Sequence, residues 1–457
     1  MRIYIMIGSV ILSAMLFFAI AVAEVNPDYV AMVFVVLLAI AAMKDLRVLL
    51  VGWFLMSPYL SPFGLKGAAN IASNFSHNVI VPVIAIAILS AVFLRYRTIK
   101  VSKVDLLWVA FIAYSFVSSF LATQGRYDDM RMIYLIYALP FLLFIVIRNI
   151  HVDSILLKMF AYAAIFHLVM LLLIFVYETL TGEVLYMSQL DWNDVGLRRR
   201  FAGPFGSPII VGIFIPIVFL FIYQGFRFNV IPRMVMWGSA VISALLILVT
   251  FTRSVWLGAF AAFLYILYRT SEQGAEKLIR VALFIVVVGV IVGVITYASP
   301  AVQERLTGEE NANFRIVMAQ ASINMILDSP FVGWGAGTFD EVSDRYLFDA
   351  LGVYITKDTS HVTILTILAE LGIVGAVFYL SFFIFSLRRK GVRITDLSGD
   401  DRLIVAINIA CVISFVINAF LIDMRFYSVA YAWLFVNLGF IDNIYRDNST
   451  IEGYKYA

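Results

Sequence analysis

Apolar residues run along this chain in stretches of about 15–23, separated by short polar breaks, from one end to the other. Runs of that length predict helices that cross a hydrocarbon core roughly 30 Å thick. Fourteen such runs are predicted, over residues 3–23, 28–43, 47–60, 79–94, 104–121, 132–147, 155–177, 209–223, 232–250, 255–268, 279–297, 363–386, 403–422 and 426–441. Several are short for a full crossing, so one or two are expected to be re-entrant or tilted pieces. The expected fold class is therefore all-α: a polytopic helical membrane protein with about 12–14 transmembrane helices.

The polar breaks differ in length and charge. One alternating set holds residues 44–47 (KDLR), 95–103 (RYRTIKVSK), Arg148 with Lys158, Arg227 with Arg233, Arg269 through Arg280, and 388–393 (RRKGVR). The other holds Lys66, the 178–200 loop, Arg253, the 298–362 loop and Arg425. With both termini added, the first set carries 21 Lys and Arg against 12 in the second, and Asp and Glu lean the other way. Excess basic charge marks the cytoplasmic side, so both termini are expected inside. The two longest connections, 178–208 and 298–362, then lie outside.

The longer connection is patterned in its own right. In NANFRIVMAQASINMIL (311–327), Phe314, Val317, Met318, Ala321 and Met325 recur at helical spacing behind Asn313, the expected N-cap. DSPFVGWGAGTF (328–339) then breaks the helix with Pro330 and three glycines. An amphipathic helix followed by a tight turn predicts a lid along the membrane surface. No repeat and no Gly/Ser- or Pro-rich linker divides the chain. The expected organisation is one membrane domain over residues 1–457, with 298–362 inserted between spans.

Composition agrees with the pattern. The 457 residues are 63% hydrophobic and 14% charged, with mean hydropathy +0.96, against roughly 25% charged residues in soluble domains. A net charge of +3 and the absence of a basic footprint exclude nucleic acid as a partner. The single cysteine, Cys411, permits no intrachain disulfide. Residues 21–24 (AVAE) resemble a signal-peptidase site, and with so many spans following they are read as the end of an uncleaved first helix.

Candidate chemistry concentrates on the non-cytoplasmic side. Arg253, in TFTRSVWLG (250–258), fits two readings: a guanidinium that snorkels to water, or one set among hydroxyl donors to grip a phosphate. Arg200 opens RFAGPFGSPIIVGIF (200–214), and Arg315 projects from the amphipathic helix. Local acidic pairing would also account for each arginine, with Asp191, Asp194, Glu304 and Glu309 near in sequence. In DTSH (358–361), Thr359 and Ser360 are the expected caps, placing His361 in the first helical turn. There the helix dipole disfavours the imidazolium and keeps a neutral ring able to accept a proton. Glu370 is costly in lipid and must face the bundle or a cavity, as a structural tie or a functional group. The four histidines are scattered and no Cys–His cluster exists, so no metal and no cofactor is expected. No phosphate-binding loop appears, which leaves ATP-driven transport unsupported.

These residues resemble the O-antigen ligase and O-antigen polymerase superfamily of bacterial membrane glycosyltransferases. The ligase branch carries a histidine, a polar residue and nine others, then GxxG. Here His361, Val362, nine residues, Gly372 and Gly375 reproduce the spacing, with Val362 departing from the polar position. The family's DSPxxGxGxGTF element looks like residues 328–339. Its T-x-[ST]-R arginine looks like Arg253, its upstream basic residue like Arg315, and its RxxGxFxxP element like Arg200, Gly203, Phe205 and Pro208. The resemblance covers roughly residues 198–380.

The resemblance implies metal-independent, inverting transfer of a glycan from an undecaprenyl-pyrophosphate-linked donor at the periplasmic face of the bacterial inner membrane. The acceptor is a glycan or a second lipid-linked unit. Arg253, Arg315 and Arg200 would bind pyrophosphate, His361 would be the base, and Glu370 and Ser360 would support it. His361, Arg253 and Arg315 are expected to converge on one cavity, with Arg200 at its rim. Membrane lipids and a chain-length regulator protein are the further partners considered. Val362 and the count of fourteen spans favour polysaccharide polymerase over ligase to lipid A-core. A lipid-linked oligosaccharide flippase and a passive export scaffold are the alternatives outside that chemistry.

Overall fold

The computed structural model describes residues 47–59, 101–123, 127–183, 185, 200–270, 310–351, 360–387 and 393–455, with isolated positions 279, 282, 285 and 297. Every regular element among them is helical. In chain order these are α1 (Arg47–Met56), α2 (Lys103–Thr123), α3 (Tyr127–Ile133), α4 (Leu139–Asn149), α5 (Ser154–Thr181), α6 (Pro208–Arg227), α7 (Arg233–Val249), α8 (Arg253–Thr270), α9 (Glu310–Asp328), α10 (Phe339–Leu351), α11 (Thr363–Leu387), α12 (Gly399–Ala419) and α13 (Ser428–Lys455). Tyr134–Ala138 form a π turn that joins α3 to α4.

Ten of the fourteen predicted runs fall on described residues, and each is helical. The runs 3–23, 28–43 and 79–94, almost all of 279–297, the AVAE stretch and Thr359 lie outside the described residues. Among the described residues, six helices are long and apolar enough to cross a membrane: α2, the α3–α4 rod, α5, α6, α11 and α12. The chain is an all-α, polytopic membrane protein. Within the run at 47–60, α1 has 10 described residues, about 15 Å at 1.5 Å per residue. The 17 residues of α7 fall short of those six.

The chain groups into two compact units. The first comprises Met1–Ile99, Asn149–Ile266 and Gly399–Ser414; the second comprises Lys100–Arg148, Leu267–Ser398 and Phe415–Ala457. In the first, Asp153 caps α5 by accepting from the Leu156 amide at 2.9 Å, and α5 ends on the left-handed Gly182. Its interior holds a histidine. His167 is fully buried, with the Tyr59 hydroxyl 3.0 Å from Nδ1 and the Phe54 carbonyl 3.2 Å from Nε2. Both ring nitrogens are thereby satisfied, which is the structural role of a core histidine.

The second unit is built on aromatic rings. Trp108 of α2 is fully buried against Phe111, Tyr137, Phe382 and Phe435. The Trp108 indole N–H donates to the Tyr137 carbonyl at 3.0 Å, within the π turn. Against this core, α9 and α10 pack through Met318, Ala321, Met325, Phe339 and Leu347 onto Ala369 of α11. The spacing read from the sequence is the spacing of that buried face. α9 begins at Glu310, so Asn313 lies inside its first turn and is not the N-cap.

The glycine turn between α9 and α10 is not a free lid. It is hydrogen-bonded into a break in α11. At Gly372 the backbone leaves the helix, with φ 61° and ψ −166°. Pro330 and Phe331 carbonyls accept from the Ile373 and Val374 amides at 2.9 and 3.2 Å; in return, Trp334 and Gly335 amides donate to the Ala369 and Glu370 carbonyls at 3.0 and 2.8 Å. Groups that a broken helix leaves orphaned are thus paired. The approach is close enough to demand glycine: a Cβ on Gly333 would sit 2.3 Å from the Glu370 carbonyl carbon, and one on Gly372 would sit 2.3 Å from that of Phe331.

Candidate functional site

In the second unit, His361 and Glu370 belong to α11 and its approach. α11 starts at Thr363, so His361 stands two residues before the helix rather than in its first turn. The helix-dipole argument made for it therefore loses its geometric basis. His361 adopts a left-handed backbone, φ 55°, a conformation that costs a non-glycine residue about 1–2 kcal/mol. Its turn is fixed by Ser360, which is buried. Ser360 Oγ accepts from the Val362 amide at 3.0 Å and lies 2.6 Å from the Val362 carbonyl. Ser360 thus builds a turn two residues long; it does not cap a helix around His361.

That turn is tethered to a network which sequence reasoning missed. Ser360 Oγ meets Thr366 Oγ1 at 2.5 Å, and Thr366 Oγ1 donates to Asp423 Oδ2 at 2.8 Å. Asp423 in turn accepts from Arg425 Nε at 3.0 Å and faces Arg425 Nη2 at 3.0 Å. Arg425 Nη1 pairs with Glu370 Oε2, while Glu370 Oε1 accepts from the Phe339 amide at 3.1 Å. Asp423, Arg425 and Glu370 are all at most 3% exposed. Burial opposes the charge on Arg425, and the Asp423 and Glu370 carboxylates more than offset it. The Asp423–Arg425 segment sits some 60 residues beyond His361 in the chain. Its one sequence signal was an acid and a base within three residues of each other, in a short connection between apolar runs.

The same segment brings Arg315 to this corner. Arg315, exposed on α9, donates from Nη1 to the Leu421 carbonyl at 3.4 Å. The neighbouring Ile422 carbonyl accepts from Thr363 Oγ1 at 3.0 Å, and Thr363 Oγ1 accepts from the Met424 amide at 2.9 Å. Residues 421–425 therefore join Arg315, the start of α11 and Glu370. Two predicted residues, Arg315 and His361, share these anchors.

In the first unit, Arg200 and Arg253 share a different corner. The Phe201 amide donates to the Val249 carbonyl at 3.1 Å, setting Arg200 beside the turn that leads into α8. Gly203–Phe205 form a 3-10 turn, Gly206 is left-handed, and Pro208 starts α6, as the irregular sequence implied. Arg253 is the first residue of α8 and is exposed. Two of the three neighbouring hydroxyls bond within the turn, and the third, on Ser254, is buried. Thr250 Oγ1 donates to the Ile247 carbonyl at 2.7 Å and Thr252 Oγ1 to the Thr250 carbonyl at 3.0 Å. They shape the turn around the left-handed Phe251 and are not spare donors for an anion.

Residues 238–380 match the O-antigen ligase family model (Wzy_C). The matched stretch carries Arg253, Arg315, the glycine turn, His361, Glu370, Gly372 and Gly375; Arg200 and the Asp423–Arg425 segment lie outside it. The match supports the O-antigen ligase and polymerase superfamily, and with it a glycosyltransferase-like membrane enzyme. No curated protein matches the chain.

Proposed function

We propose that this protein is a polysaccharide polymerase, acting as one membrane domain at the outer leaflet of the bacterial inner membrane with both termini in the cytoplasm. It transfers a glycan from undecaprenyl pyrophosphate to a sugar hydroxyl of a second lipid-linked repeat unit. The observation that carries the chemistry is the left-handed turn at His361, anchored through Ser360 and Thr366 to the buried Asp423–Arg425–Glu370 cluster. A rigid mount of this kind suits a group that must meet a reacting atom within a few tenths of an ångström.

His361 takes the proton from the acceptor hydroxyl as its oxygen attacks the anomeric carbon. The bond to the pyrophosphate oxygen breaks on the opposite face, its electron pair leaves with the phosphate, and the configuration inverts. Arg315 steadies the charge that builds on the leaving group, and Arg200 and Arg253 keep the phosphate-binding role assigned from their sequence context. Asp423, Arg425 and Glu370 act as positioning residues for the turn, and no step uses a metal or cofactor.

A ligase that delivers finished chains to lipid A-core is the second reading, favoured by the description of the matched family. Purified protein in liposomes, given one lipid-linked repeat unit, separates the two. A polymerase gives a ladder of longer lipid-linked products from that substrate alone, and activity survives EDTA. A ligase gives none until lipid A-core is added, then a single transfer per acceptor. Absence of any transfer under both conditions overturns the enzyme reading in favour of transport or scaffolding.

A further inference from the structure

We propose that residues 323–335 dip into the hydrocarbon core as a re-entrant turn and present Ile323, Leu327, Phe331 and Val332 to lipid acyl chains. Two spans set the depth independently. The 25 residues of α11 extend about 37 Å, and the break at Gly372 lies three residues from their midpoint. Phe331, whose carbonyl accepts from the Val374 amide, is therefore level with the middle of that span. In the 21 residues of α2, Tyr114 is the twelfth. Its hydroxyl bonds the Val332 carbonyl at 3.1 Å and the Leu371 carbonyl at 3.2 Å, which puts Val332 at the middle of α2 as well.

What the turn exposes at that depth is mostly apolar, and the exposed Asp328 carboxylate is tied to the Tyr346 hydroxyl. Phe331 and Leu327 are each 70% exposed, and Val332 is 58% exposed. They continue the outward apolar face of α11, where Ile373 and Val377 are 50% and 55% exposed. Irregular backbone survives at membrane depth only when its polar groups are paired within the protein. Seven of the turn's backbone groups are paired in this way. The carbonyls of Pro330, Phe331 and Val332 accept from Ile373, Val374 and Tyr114, and that of Gly333 accepts from Ser329 Oγ at 2.9 Å. The amides of Gly333, Trp334 and Gly335 donate to Ser329, Ala369 and Glu370. A turn destined for water would need none of this.

The proposal does not depend on the enzymatic reading. Full-length protein in phosphatidylcholine–phosphatidylglycerol liposomes carries a nitroxide at Phe331→Cys or Leu327→Cys, both at exposed side chains, in a Cys411→Ser background. Val377→Cys on the lipid face of α11 and the exposed Asp400→Cys are the references. The expected result at both turn positions is an oxygen-to-nickel-chelate accessibility ratio within twofold of Val377→Cys and at least tenfold above Asp400→Cys. A ratio at the Asp400→Cys level at either position, with Val377→Cys reading as buried in lipid, overturns it.

Discussion

Among its described residues the second unit buries two arginines, and they are put to different uses. Arg148 is 1% exposed, reaches both oxygens of Asp105 at 2.5 Å, and has Asp442 3.6 Å from its Nε. Arg446 balances Asp442 at 2.9 Å, and Asn443 donates to the Ile147 carbonyl at 2.8 Å. Two cations meet two anions, and the ties run between α2, α4 and α13 and along α13 itself. Arg425 sits instead between two carboxylates, and its network continues through hydroxyls to the turn that holds His361. Both arginines satisfy the rule that buried charge must be paired. Burial of an arginine therefore says little about function; what the far end of its network holds says more.

Four substitutions test that contrast. The largest expected effect is at the end of the Arg425 network: His361→Ala lowers glycan transfer by 10²–10⁴-fold, the usual cost of losing a general base, with the melting midpoint in detergent unchanged. His361→Gly loses the same activity while melting higher, because glycine relieves the left-handed strain of about 1 kcal/mol. Next in size is Arg148→Met, which strands Asp105 and Asp442 and costs about 3–5 kcal/mol of stability. Arg425→Met should cost as much and, unlike Arg148→Met, also cut transfer per folded molecule. Equal transfer from the two variants would erase the distinction between the clusters.

A smaller effect separates the acids. Asp423→Asn weakens a charged hydrogen bond to Thr366 and should lower kcat about tenfold, the size of a loss of 1.4 kcal/mol, with KM for the lipid-linked donor unchanged. Asp442→Asn, at the other cluster, should leave kcat alone. A rise in KM for Asp423→Asn would argue for contact with substrate instead of positioning. The smallest effect is expected for Tyr114→Phe, which removes the one hydroxyl proton shared by the Val332 and Leu371 carbonyls and should lower stability by about 1 kcal/mol.

Much of this molecule was legible in its sequence because long apolar runs have few alternatives. The helices at 104–121, 155–177 and 209–223 were bounded to within a few residues. The glycine turn and the buried face of α9 were visible through composition and spacing. Asp423 and Arg425 were not, because their partners lie some 55 residues away on Glu370 and Thr366, and nothing local reports a contact across such a separation. The pairing of the glycine turn with α11 was hidden for a similar reason: periodicity separates the buried face of α9 from its outer face but does not report where α11 breaks. Ser360 and the threonines beside Arg253 were misassigned in role: a hydroxyl in a sequence looks equally ready to cap a helix, shape a turn or bind an anion.

The pairing between the glycine turn and α11 also fixes an order of assembly. Residues 330–335 leave the ribosome before 369–374 exist, so the Trp334 and Gly335 amides at first have no acceptors, and the Pro330 and Phe331 carbonyls have no donors. Four stranded peptide groups would each cost several kcal/mol in hydrocarbon. On the proposed re-entrant placement, the hairpin must wait at an aqueous interface until α11 has been delivered to the bilayer, and biogenesis then includes a step after chain insertion, in which the hairpin enters beside α11.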